Sequence, residues 1–190
     1  MYTVKEKISP ASRMLLLSAI LISSLFSATS ARAEVFYGVT VNGIFSVNSV
    51  TGGPATQVAT FTPAIASGVT LATRPSDGML FYLNSIAANP NLWRWDPSTP
   101  AVPPVLVGTP GATTTGIIRL GFDMAGNLFA SNNVAPFNLW TLSPDTGAIL
   151  NVVPLSGTIP VGGGDMCLHP TTGVLYLVAN QNLYTMTSSG

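Results

Sequence analysis

The phrase "NLWTLSPDTG", which begins at Asn138, has two relatives in the same chain. It appears as "NLWRWDPSTP" from Asn91, 47 residues earlier, and as "NLYTMTSSG" from Asn182, 44 residues later. A second phrase keeps almost the same period. "DGMLFYL", "AGNLFAS" and "TGVLYLV" carry Gly78, Gly126 and Gly173, spaced 48 and 47 residues apart. The stretch "EVFYGVTVNGIFSVNSVTGG" holds both phrases in compressed form, with Phe36-Tyr37 matching Leu80-Phe81 and Ile44-Phe45 matching Leu92-Trp93. A fixed internal period constrains a fold more tightly than composition does, because each repeat must be one supersecondary unit that buries its apolar faces against its neighbours.

Each unit parses as four strands, in which branched and aromatic residues alternate with small or polar ones between Gly, Pro, Asn and Asp. An inner strand runs through "GVTLATRP", "IIRLGFDM" or "DMCLHP". A turn containing glycine leads to the "LF" or "LY" strand, and a hairpin leads to the "NLW" or "NLY" strand. A turn such as Ser143-Pro144-Asp145-Thr146-Gly147 then leads to an outer strand in "TQVATF", "PVLVG" or "ILNVVPL". No stretch after residue 33 shows a 3.6-residue apolar period. Four short antiparallel strands per period describe a β-propeller blade. The expected fold is all-β: a partial propeller of about three to three and a half four-stranded blades. The units are drawn at about 34–66, 67–115, 116–162 and 163–190. The recurring aromatics (Phe45, Phe81, Trp93, Phe129, Trp140, Tyr176, Tyr184) are expected to pack between blades.

The phrases "NLWTLSPDTGAI" and "GGGDMCLHPTTGVLYLVANQNLY" resemble repeats of secreted bacterial β-propellers in the broad NHL-like and YVTN-like superfamily. The resemblance spans residues 34–190. It implies the propeller fold but specifies function poorly, since that superfamily includes lactonases, gluconolactonase-like hydrolases, quinoprotein dehydrogenases and binding scaffolds.

The N-terminus reads differently. Lys5, Lys7 and Arg13 precede an apolar run over residues 14–26, "MLLLSAILISSLF", and Ala31-Arg32-Ala33 follows. A basic region, a short apolar run and a small-residue cleavage motif make a secretory signal. Residues 1–33 are therefore expected to be a signal peptide forming a helix over 14–27, cleaved between Ala33 and Glu34, with a secreted or periplasmic product. A spanning helix would need ~20 apolar residues.

Charged residues are 7 % of the chain, against roughly 25 % in an average soluble protein. From Glu34 onward there are three arginines and six acids, a net charge of minus three, and no lysine. That balance excludes a nucleic-acid partner, which requires a basic face, and an anionic membrane surface after signal cleavage. The unknown partner is expected to be a ligand or a protein.

Candidate sites are few. One His and one Cys exclude a His/Cys zinc site within the chain. His169 lies before Pro170 and no nucleophile elbow is present, so it is read as structural. Cys167 is expected to be an inert, buried thiol on an inner strand. Asp165 stands at the mouth of an inner strand and is the single channel-mouth candidate for a metal ligand. The equivalent positions in the other units are Thr70 and Ile118, so Asp165 is also read as a turn cap. Asp123 is read as a turn acid, and Gly162-Gly163-Gly164 as a flexible connector. No catalytic residue and no cofactor is indicated. Calcium would bind only if further blades supplied ligands.

Residues 34–190 make about 3.3 periods, whereas propellers close with roughly four to eight blades. The first unit begins at its second strand and the last stops after its third. The expectation is a fragment of a longer reading frame, with self-association through exposed blade faces as the competing outcome. The function expected is an exported propeller segment with a binding or scaffold role. The alternative is an N-terminal fragment of a lactonase-like or quinoprotein-like hydrolase or dehydrogenase whose active site lies mainly in missing blades.

Overall fold

The structure, a computed structural model, describes residues 35–61, 70–84, 90–111, 116–156, 164–179 and 181–186. The expected leader helix over 14–27 and the cleavage point between Ala33 and Glu34 lie outside the described residues. Four antiparallel sheets follow one another along the chain. The first holds β1 (Val35–Thr40), β2 (Gly43–Asn48) and β3 (Thr56–Thr60). The second holds β4 (Thr70–Thr73), β5 (Leu80–Leu83), β6 (Leu92–Trp95) and β7 (Val105–Gly108). The third holds β8 (Ile117–Phe122), β9 (Leu128–Asn132), β10 (Asn138–Leu142) and β11 (Ile149–Pro154). The fourth holds β12 (Met166–Leu168), β13 (Leu175–Ala179) and β14 (Asn182–Met186). Every strand pairs with its sequence neighbour within the sheet, and no helix occurs among the described residues. This is a partial β-propeller. Among the described residues the first sheet has no inner strand of the repeat and the fourth has no outer one.

One turn chemistry is written three times between the first and second strands of a repeat. The Gly78, Gly126 and Gly173 amides donate to the carbonyls of Arg74, Asp123 and His169, at 2.9, 3.1 and 3.0 Å. The three glycines have φ of +74°, +87° and +67°, which a side chain would penalise. Side chains then tighten each turn differently. The Asp123 carboxylate accepts from the Asn127 backbone and side-chain amides at 2.8 and 2.7 Å. His169 Nδ1 accepts from Thr171 and Thr172 N–H, both at 3.2 Å. Asp77 accepts from Arg74 Nε and Nη2 at 3.0 and 2.6 Å. Both Asp123 and His169 therefore serve the turn that contains them.

A second recurring device sits at the end of the second strand. Asn84 Oδ1 accepts the Asn91 amide and Asn132 Oδ1 accepts the Asn138 amide, both at 2.8 Å. The asparagine that opens the "NLW" phrase thus begins its strand by docking on an asparagine of the preceding one. Asn132 also donates to the carbonyls of Val134 and Pro136 at 2.6 and 2.9 Å.

Because successive strand residues point to opposite faces, each sheet serves two interfaces. Leu80 and Tyr82 face the first sheet, meeting Ile44, Tyr37 and Val39. Phe81, Leu83 and Leu92 face the third sheet, meeting Leu128, Ala130, Trp140 and Leu142. Phe129 and Leu139 face the fourth, meeting Met166, Leu175 and Leu177. Each fully buried side chain of this kind contributes about 1.5–3 kcal/mol. Of the seven aromatics expected between blades, Phe81, Phe129 and Trp140 are buried, and Phe45, Trp93, Tyr176 and Tyr184 are partly covered.

One expectation fails. Cys167 is exposed. Its neighbours alternate correctly, with Met166 buried in the interface toward the third sheet. The period of two therefore turns Cys167 to the opposite face, which no further sheet covers among the described residues.

Candidate functional site: the mouth of the inner strands

The inner strands β4, β8 and β12 lie beside one another, each from a different sheet. They bring Thr70, Ile118 and Asp165 onto one cleft of about 320 Å³, where Tyr37 and Gly38 of β1 complete the wall. A second cleft of about 230 Å³ continues past Asp165 along Leu71, Gly121 and Cys167. The expected equivalence is off by one residue on β8: Arg119, paired with Ser131, takes the place that Thr70, paired with Leu83, holds on β4, and Ile118 reaches the cleft as an inserted residue.

Asp165 is held by its own strand. Its Oδ1 accepts the Met166 N–H at 2.8 Å, and its carbonyl accepts the Val178 N–H at 2.9 Å. Although the residue as a whole touches solvent, its carboxyl is hemmed in by protein. Desolvation pushes its pKa up, while the Met166 hydrogen bond and the charge of Arg119 pull against that rise. The preceding Gly164 is not a loose connector. A Cβ there would run into the carbonyl oxygen of Val178, so glycine is required for the chain to pass beside β13. Gly162 and Gly163 lie outside the described residues.

The residue that reading of the sequence missed is Arg119. It is wholly buried on β8, and its Nη1 donates to the Asn132 carbonyl at 3.0 Å. Burial lowers its pKa, and the negative charge of Asp165 counters that effect. Its orientation follows from an irregularity in register. Ile117 pairs with Asn132 and Arg119 with Ser131, leaving Ile118 as the extra residue. Such a bulge re-aims side chains: Ile118 meets the cleft and Arg119 goes into the protein. A lone arginine in the apolar run "IIRLGF" was the available signal, since a buried cation is rare unless paired.

The cleft can therefore offer one carboxylate, which feels the charge of the buried Arg119, beside the hydroxyl-bearing Tyr37 and Thr73 and the apolar Leu71 and Ile118; the Thr70 hydroxyl is itself buried. No group of three or more His, Cys, Asp or Glu suited to a metal occurs among the described residues.

No family model matches this sequence, and a search of curated proteins finds no match either. Solved structures do match. TolB from Acinetobacter baumannii is 11 % identical with a TM-score of 0.54, over 96 % of this chain and 47 % of that one. An auxiliary nutrient binding protein from Bacteroides ovatus is 11 % identical with a TM-score of 0.58, over 83 % and 36 %. A gluconolactonase from Xanthomonas campestris is 13 % identical with a TM-score of 0.51, over 82 % and 55 %. These likenesses show the propeller-like fold. The chain spans about a third to just over half of the length of these neighbours.

Proposed function

We propose that this chain is an exported β-propeller segment, of the NHL-like and YVTN-like kind, that binds a small polar ligand at the mouth of its inner strands. It carries out no catalysis of its own. The observation that carries this reading is the makeup of the cleft. Among the described residues Asp165 is the one acid that lines the cleft, beside Tyr37, Thr73, Leu71 and Ile118. One acid among hydroxyls and apolar side chains can accept a hydrogen bond and attract a positive charge. It cannot divide the work of a general acid and a general base. A cleft of about 320 Å³ also lies near the lower end of ligand pockets, which run roughly 300–1,000 Å³. Export is supported by the basic, apolar and small-residue order of residues 1–33.

The test is an assay of lactone hydrolysis by the exported protein, with and without calcium, alongside thermal shifts with small cationic and neutral solutes. The reading expects no turnover above buffer, and a cation-dependent rise in melting temperature that Asp165→Asn removes. Calcium-dependent turnover abolished by Asp165→Ala would overturn it. The match to just over half of a gluconolactonase favours one second reading, in which a hydrolase or dehydrogenase site is completed by blades outside this sequence. Genomic sequence beyond Gly190 that adds blades with Glu, Asn, Asp or His at inner-strand mouths would support it.

A further inference from the structure

Four copies of one position behave in two ways. Ile44, Leu92, Leu139 and Leu183 are the branched residues at the same place in the four hairpins. The first three are 0 %, 0 % and 1 % exposed, and Leu183 is 64 % exposed. Leu183 shares its face with Val178, its cross-strand partner, and with Tyr176. In the second sheet the same positions are Phe81, Leu83 and Leu92, which together form the buried interface with the third sheet. The fourth sheet thus displays the face that elsewhere receives the next blade.

The first sheet displays the converse. Phe36, which is 60 % exposed, lies on the same face as its partner Val47 and as Phe45. By hairpin register Phe36 and Phe45 correspond to Leu175 and Tyr184. In the fourth sheet those two residues pack against the third. The two bare faces are therefore the two halves of one blade interface, carried on one chain.

We infer that the two faces are joined by a second copy of this chain, head to tail. The fourth sheet of each copy packs on the first sheet of the other. Complementary, non-identical patches of this kind form a ring when the rotation closes. Two copies bring eight sheets, within the roughly four to eight blades that propellers use. The charge content of 7 % raises little electrostatic opposition.

The experiment produces the 190-residue chain with its own leader and measures the mass of the exported protein by native mass spectrometry and light scattering. The expected species is a discrete dimer. Leu183→Asp and Phe36→Asp each place a charge in both interfaces of the ring. Each should raise the dimer dissociation constant about a hundredfold or more. Mixing the two variants should restore a dimer, because one of its two interfaces is then wild type on both sides. Contact through like faces would instead leave one single variant dimeric. In the wild-type protein, Cys167 on the bare face should react with a maleimide more slowly as protein concentration rises through the dimerisation range. That readout needs no substitution. A monodisperse wild-type monomer, aggregates without defined mass, failure of the mixture to recover a dimer, or concentration-independent Cys167 labelling would each overturn the proposal.

Discussion

Leu139 and Leu183 hold the same place in the same phrase, yet one is 1 % exposed and the other 64 %. Their strands pair in the same manner with the preceding strand, Leu139 with Ser131 and Leu183 with Val178. The difference is what lies across the face. Leu139 meets the fourth sheet, whereas Leu183 has no sheet across from it among the described residues.

Substitution should separate the two. Leu139→Ala removes a packed side chain and leaves a cavity, so it should lower unfolding stability by about 2–5 kcal/mol. Leu183→Ala should change stability by less than about 1 kcal/mol at low protein concentration. Urea denaturation followed by tryptophan fluorescence measures both.

Asn132 should matter more than its repeat counterpart. It is buried and makes three hydrogen bonds that hold the β9–β10 connection, to Val134, Pro136 and Asn138. Asn132→Ala should cost about 2–3 kcal/mol, since several buried polar groups lose a partner together. Asn84 is only partly buried and accepts from Asn91, and Asn84→Ala should cost about 1 kcal/mol. Equal losses in thermal unfolding would contradict the difference in burial.

Two acids should give opposite pH dependences. Hydrogen bonds from Arg74 hold Asp77 below the usual carboxylate range. Its stabilisation is present above the unfolded pKa and fades as pH falls through the lower folded value. Asp77 is largely open to solvent, so after screening Asp77→Asn should cost only about 0.5 kcal/mol at neutral pH. Desolvation raises the Asp165 pKa, so ionisation there opposes folding. That penalty grows as pH rises from the ordinary carboxylate value through the raised one. Asp165→Asn should remove this component, visible as a flatter rise of the urea midpoint in the wild type than in the variant across acid pH.

Much of the fold was legible because period-2 alternation and the 47-residue repeat reinforce one another. Leu80, Leu128 and Leu175 fall in second strands and Leu92, Leu139 and Leu183 in third strands, as the phrases predict. The alignment of the inner strands was one residue off at β8, where Arg119 stands opposite Ser131 as Thr70 stands opposite Leu83. Cys167 was misread because a strand's apolar character does not say which of its two faces finds a neighbour. Arg119 was missed because its placement depends on a bulge at Ile118, and bulges leave little trace in composition. Gly164 looked like a linker because a close approach to Val178 is a tertiary fact.

Export has its own measurement. N-terminal sequencing of protein recovered from periplasm or medium should begin at Glu34. A chain beginning at Met1 in the membrane fraction would contradict the cleavage proposed after Ala33.

Amide hydrogen exchange resolved by strand addresses the radial order of each blade most directly. The strands β5 and β9 are buried along their whole length and paired on both edges. The strands β3, β7 and β11 are outer edges with largely exposed residues. Protection follows local opening free energy, so β5 and β9 amides should exchange slowest and β3, β7 and β11 fastest. Outer strands as protected as β5 and β9, or β5 and β9 exchanging with the edges, would contradict the propeller arrangement.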